Sequence, residues 1–145
     1  MKAKLVLEAK SKNVSLARDW AYETCRNFGI HGRRMIDVKT ITSEIVTNVV
    51  RHAYHNRKKK NFVLKAKLAS RKLTLTIRDF GAGFDAHHGR SLHVGLMIVN
   101  SLADKVKIRS FGFGTQVKVV IFLRETEVDK VSSATAELLR QVIPH

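Results

Sequence analysis

A single cysteine, twelve acidic residues and no long apolar run set the first limits on this 145-residue chain. Cys25 has no partner, so an internal disulfide and a Cys-x-x-Cys metal site are both excluded. That cysteine usage suits a reducing, intracellular compartment. No stretch approaches the ~20 apolar residues of a membrane span. The apolar part of Met1-Lys-Ala-Lys-Leu-Val-Leu-Glu8 is too short for a signal peptide. A cytoplasmic protein without a membrane partner is therefore expected. Internal repeats and low-complexity tracts are absent as well.

Against the 12 acids stand 27 lysines and arginines, a net charge of +15, and an excess of this size reports attraction to something acidic. The cations are dispersed, apart from the block Arg57-Lys58-Lys59-Lys60 and the pair Arg33-Arg34. Neither cluster is interleaved with aromatics as a stacking platform would be. With no recognisable nucleic-acid motif either, nucleic acid is not the expected partner, and an acidic regulatory protein suits the charge better.

At 44% hydrophobic residues the chain can bury the core of one domain. Leu5 and Leu7 alternate with polar neighbours over residues 3–9, which predicts a strand. Asn13 to Phe28 reads as a helix, with Asn13 as N-cap and Gly29 as its stop. A longer helix is predicted from about Arg34 to His55. Its ladder Ile41, Ile45, Val49 and Ala53 faces inward, and Glu44, Asn48 and Arg51 share an adjoining face. Strands over Phe62–Leu68 and Leu73–Arg78 should form a hairpin, and a short apolar helix is expected from about Gly95 to Ala103. Two more strands, Val106–Phe111 and Gln116–Leu123, flank Gly112-Phe-Gly-Thr115, and helical spacing over residues 126–142 predicts a terminal helix.

This order of elements argues for an α+β fold: a two-layer sandwich, with a mostly antiparallel sheet covered on one face by helices. Its other face would be solvated or used by a partner. The expected division is a domain at 1–123 and a C-terminal helical extension at 124–145.

Two short motifs carry chemistry. Glu44-Ile-Val-Thr-Asn48 puts a carboxylate and an amide four residues apart, hence on one helix face, where they could flank a metal-bound phosphate. Asp79-Phe-Gly-Ala-Gly83 follows an apolar strand, fixing an acceptor at its end before glycines that let backbone approach a ligand. Either motif alone reads equally as an exposed polar face or a turn. Both occur here in order, followed by Gly95-Leu96 and Gly114-Thr115.

The stretch Asp37 to Tyr54, with its Ser-Glu-x-x-Thr-Asn core and trailing His-Ala-Tyr, resembles the N-box helix of the GHKL (histidine kinase-like) ATPase superfamily. Within it, the stretch is most similar to the bacterial anti-sigma factor serine/threonine kinases. The resemblance covers residues 1 to about 123. It implies an ATP- and Mg²⁺-dependent protein kinase that acts on an anti-anti-sigma-type protein and holds a sigma factor. Glu44 would be the general base and Asn48 the Mg²⁺ ligand, while Asp79 would accept from the adenine amino group. Gly81 and Gly83 would shape the adenine pocket, and Thr115 would add a second contact near it. Gly95 and Leu96 would belong to the start of a phosphate-binding helix, and Arg90 could reach a phosphate as a charge-assisted donor.

In the family the third motif usually reads Gly-x-Gly, whereas His93-Val-Gly95 stands here. A Cβ and an imidazole at that place loosen the expected phosphate grip. The alternative is therefore an ATP-binding module of weak or no catalytic power that sequesters a protein partner. His87, His88 and His93 read as a solvated loop rather than as an accessory metal site. A homodimer through the exposed sheet or the first helix is compatible with the sequence.

Overall fold

The computed structural model describes residues 1–54, 60–81 and 89–129, with backbone alone for 89–94. Eight elements of regular structure follow one another: β1 (Lys2–Glu8), α1 (Asn13–Asn27), α2 (Arg34–Asn48), β2 (Asn61–Ala69), β3 (Lys72–Arg78), α3 (Gly89–Leu102), β4 (Lys105–Phe111) and β5 (Gly114–Phe122). The five strands form one sheet in the order β1-β2-β3-β5-β4, and every neighbouring pair is antiparallel. The expected α+β sandwich is what forms.

Period-two alternation decides which way each strand faces. In β2, Phe62, Leu64, Ala66 and Leu68 are buried, and in β3 so are Leu73, Leu75 and Ile77. Val119 and Ile121 of β5 continue the same apolar layer. The inward sides of α1 and α2 pack on it through Ala17, Ala21 and Cys25, and through Val38, Ile41 and Ile45. Cys25 is fully buried, and loss of solvation pushes its thiol pKa up to about 12. It serves as a core residue.

Several boundaries differ from expectation. Asn13 is not the cap of α1: Lys12 occupies that place, and the Asn13 amide instead donates to the carbonyl of Glu8 at 2.8 Å, tying the helix to β1. The stop falls as expected, with Ile30 and Gly29 donating back to the carbonyls of Cys25 and Arg26.

The helix expected to continue to His55 is α-helical only to Asn48, and a π-helical turn spans Val49–Ala53. A ladder of four-residue steps drifts about 40° per step on a 3.6-residue helix. One widened turn offsets that drift and returns Ala53 to the core beside Tyr54. Residue 55 lies outside the described residues. At the other end of the chain, Glu125–Glu127 forms a 3₁₀ turn, and Val128 makes an antiparallel bridge with Ile30 rather than opening a helix at 126. The remainder of the expected terminal helix, from residue 130, lies outside the described residues.

Candidate functional site

Glu44 and Asn48 stand on the last turns of α2, both half-buried, and face α3. They meet it at Gly95. A Cβ built there would stand 3.1 Å from Glu44 Oε2 and 3.1 Å from Asn48 Nδ2. The buried glycine thus keeps a carboxylate and an amide together at a face where any side chain would push them. Leu96, the next residue, is half-buried on the same helix.

Asp79 stands just past the end of β3 and is 6% exposed. Its backbone N–H donates to the carbonyl of Thr115 at 3.0 Å. In return Thr115 N–H donates to Asp79 Oδ1 at 3.1 Å, and Gly81 N–H donates to the same oxygen at 3.1 Å. Burial is the largest influence on this carboxyl and raises its pKa, while the two amides and the Arg78 guanidinium pull it back. The outcome is a desolvated acceptor whose plane is fixed by backbone.

Two glycines make this arrangement possible. At Gly114 the backbone has φ +107°, and a Cβ would fall 2.0 Å from the carbonyl oxygen of Asp79. No other residue type fits. At Gly81 a Cβ would fall 1.8 Å from the carbonyl oxygen of Ala53, so the Asp79 loop lies directly on the π-helical turn that follows Asn48. Backbone contact therefore joins the two motifs.

Tyr54 strengthens the joint, a part that the trailing His-Ala-Tyr does not assign to it. Its hydroxyl accepts from Phe80 N–H at 3.1 Å and donates to the carbonyl of Asn61 at 2.9 Å, stitching the Asp79 loop to β2. Burial is the first of the influences that raise its pKa. Arg34 is a second such residue. It donates to Asp37 and Asp104 at 3.1 Å each and to the carbonyl of Leu102 at 2.8 Å, clamping the start of α2 to the end of α3.

Not every expected site residue can be placed. Gly83, His87 and His88 lie outside the described residues, as do the side chains of Arg90 and His93. One expectation is corrected: α3 begins at Gly89, six residues before Gly95. Gly95 and Leu96 consequently sit about two turns into it, and the amides left free at a helix start belong to the turn that begins at Gly89. Nothing in Arg90-Ser-Leu-His-Val94 breaks a helix, and His93, where the family places a glycine, favours its continuation.

Among the described residues no group of three or more His, Cys, Asp or Glu is placed to hold a metal ion. None of the described helices is long and apolar enough to cross a membrane.

A buried strand-end aspartate, whose loop rests on the turn after a helix that carries a carboxylate and an amide, is the arrangement of a histidine kinase-like class of protein. The chain belongs to the histidine kinase-like ATPase domain family, whose family model matches residues 7–122. An anti-sigma F factor of Shouchella clausii is 35% identical over 82 residues, a match that spans 57% of this chain and only 56% of that protein. The serine-protein kinase RsbW of Listeria innocua is 26% identical, with 89% of this chain and 92% of that protein covered. Among solved structures, the RsbU and RsbW domains of a Mycobacterium tuberculosis protein share the fold, with a TM-score of 0.70 at 20% identity over 90% of this chain and 35% of that one. The histidine kinase domain of a blue-light activated kinase from Erythrobacter litoralis does so with a TM-score of 0.51 at 24% identity, over 62% of this chain and 45% of that one.

Proposed function

We propose that the chain is an ATP-dependent serine/threonine protein kinase of the partner-switching kind, which phosphorylates an anti-anti-sigma-type protein and holds a sigma factor when that protein is unavailable to it. The observation that carries the proposal is the pairing of Glu44 and Asn48 over Gly95. A carboxylate beside an amide supports that reading, since the one would accept a hydroxyl proton and the other would offer an oxygen to a phosphate-bound cation. The likeness to proteins named serine-protein kinase RsbW and anti-sigma F factor supports the same reading.

The residues present fit an adenine nucleotide. Asp79 Oδ1 is engaged by two amides, which makes Oδ2 the oxygen offered to an adenine amino group. Gly81 lets the Asp79 loop rest on Ala53, Thr115 lies beside that carboxylate, and the resemblance would put Gly83 in the same pocket. Mg²⁺ would take Asn48 Oδ1 and draw its other oxygens from phosphates and water, its usual preference. When bound, Mg-ATP supplies the transferable phosphoryl group. Glu44 would remove the proton from the substrate hydroxyl, while the first amides of α3 and, as the resemblance implies, Arg90 would hold phosphate oxygens. The domain division at 123 belongs to the same proposal, with residues 124–145 as an appendage to the kinase fold.

A second reading has its own observation. Because α3 runs unbroken through His93, the amides near Gly95 are spent inside the helix, and a site so built binds ATP with a weak phosphate grip. The protein would then regulate by sequestration alone.

Incubation with labelled ATP, Mg²⁺ and the antagonist protein separates the two. The kinase reading expects phosphoserine or phosphothreonine on the antagonist, lost in Glu44→Gln while partner binding persists. ATP binding without any transfer would leave only the sequestering module.

A further inference from the structure

The helices cover one face of the sheet; the other is an ordered array of cations. Register places Lys4, Lys65, Lys118 and Lys107 in one row across β1, β2, β5 and β4, with Thr76 of β3 in the middle. The next row holds Lys2, Lys67 and Lys105 around Thr74 and Val120. On the opposite side of the first row, Arg78 and Arg109 flank Gln116. None of these cations forms an ion pair with another described residue. The one acid of these strands on this face, Glu8, is at a corner and is held by Lys10 at 2.7 Å.

Such an array opposes stability. Lys2 faces Lys67, Lys4 faces Lys65 and Lys107 faces Lys118 directly across strands, and like charges so placed repel. Three such pairs on one face break a local rule of sheet stability, as functional surfaces do, and point to a ligand that neutralises them. The shape agrees: a concavity of about 540 Å³ is lined by Lys2, Lys4, Lys65, Lys67 and Lys118 with Thr74 and Thr76.

Aromatic rings close one end. Phe80, Phe111 and Phe113 are 39%, 36% and 79% exposed. The Arg78 guanidinium lies 3.9 Å over the Phe111 ring and 5.1 Å from that of Phe80, and it donates to the carbonyl of Phe113. Along the sequence these rings are far from the dense basic blocks, but the sheet brings them to the margin of the cationic face. A positive trough beside exposed rings is the combination that holds single strands, with phosphates in the trough and bases on the rings.

We propose that this face binds single-stranded nucleic acid, independently of the nucleotide site on the helix side. A protein partner fits it less well, because lysine is depleted from protein interfaces. A second copy would oppose cations to cations. A bilayer would not enter a concave surface, and a duplex would keep its bases from the phenylalanines.

The test is fluorescence anisotropy of a labelled oligothymidylate of about 20 nucleotides, titrated with the full chain at salt from about 50 to 300 mM. Affinity should fall linearly on logarithmic axes. Replacing Lys65, Lys67 and Lys118 by serine should shrink that slope by about 2, at roughly 0.7 for each phosphate no longer neutralised. Phe111→Ala with Phe113→Ala should weaken binding about fivefold or more with the slope kept. All five positions are exposed, and thermal melts verify that both variants fold. No binding at the lowest salt, or a slope unmoved in the lysine variant, overturns the proposal. So does equal competition by polyglutamate, which would mark an acidic protein site, or equal affinity for anionic vesicles. Displacement by excess adenosine would move the oligonucleotide to the adenine end of the other site, and self-association lost in the lysine variant would make the face a dimer contact. Either result overturns it too.

Discussion

Asp79 is the residue at which stability and binding pull apart. Its carboxyl is desolvated, so its folded pKa lies above the ordinary 3.8. For an acid this sign means that the folded state holds its proton more tightly than the unfolded chain. Folding stability from this group is therefore greatest at low pH and is lost as pH rises through the folded pKa. Asp79→Asn removes that loss and keeps an oxygen for the Gly81 and Thr115 amides. We expect its melting temperature at pH 7 to equal or exceed that of the unmodified protein. Its affinity for ATP, by calorimetric titration, should fall about tenfold or more, the worth of a hydrogen bond to a charged group. In the unmodified protein that affinity should weaken as pH drops through the raised pKa, and in the variant it should not.

Gly95 offers the complementary case. It lies inside α3, where alanine is favoured over glycine by about 1 kcal/mol. The added Cβ would meet only the movable ends of Glu44 and Asn48, at 3.1 Å each. Gly95→Ala should thus melt no lower than the parent. Phosphoryl transfer to the antagonist, measured at saturating ATP, should drop about tenfold or more, because the base and the metal ligand are displaced from their shared position. A fall in melting temperature with transfer intact would count against the placement of these three residues.

At the scale of elements, the spacing of Glu44 and Asn48 and the run of β3 into Asp79 were legible because each depends on a local period or a strand end. The start of α3 was not. Gly95-Leu96 looks like a helix opening when glycine is taken as a boundary, yet the helix begins at Gly89 because His93 permits it to continue. The π turn at Val49–Ala53 was hidden for a different reason. Its cause is the drift of a four-residue ladder, which appears only once Ala53 must meet both the core and Gly81. Arg34 was legible as charge alone, since its partners Leu102 and Asp104 are 68 and 70 residues away. Because that guanidinium is mostly buried and satisfies a carbonyl and two carboxylates, Arg34→Ala should lower unfolding free energy by about 1–2 kcal/mol in urea titrations. Arg34→Lys should recover only part of it, since an ammonium cannot reproduce the fork.

For the whole molecule, charge is the organising quantity. A net +15 on 145 residues is self-repulsive, and the sheet gathers much of it on one face. Alternation along each strand splits this array in the sequence into isolated lysines, so it emerges only when all five strands are assembled in the order β1-β2-β3-β5-β4. The cost can be measured at one pair. Lys4 faces Lys65 across an antiparallel ladder, and Lys4→Glu converts a repulsive pair into an attractive one. Cross-strand pairs are worth roughly 0.2–1 kcal/mol, so the variant should be more stable than the parent by about that amount at low salt. The advantage should shrink as salt screens both pairs beyond a Debye length of about 10 Å at 0.1 M. The parent, meanwhile, should itself gain stability from added salt, which relieves its like-charge contacts. If Lys4→Glu leaves stability unchanged at low salt, the lysines are too well solvated to repel. If it stabilises the fold and weakens oligonucleotide binding together, the same cations that burden the sheet are the ones that bind.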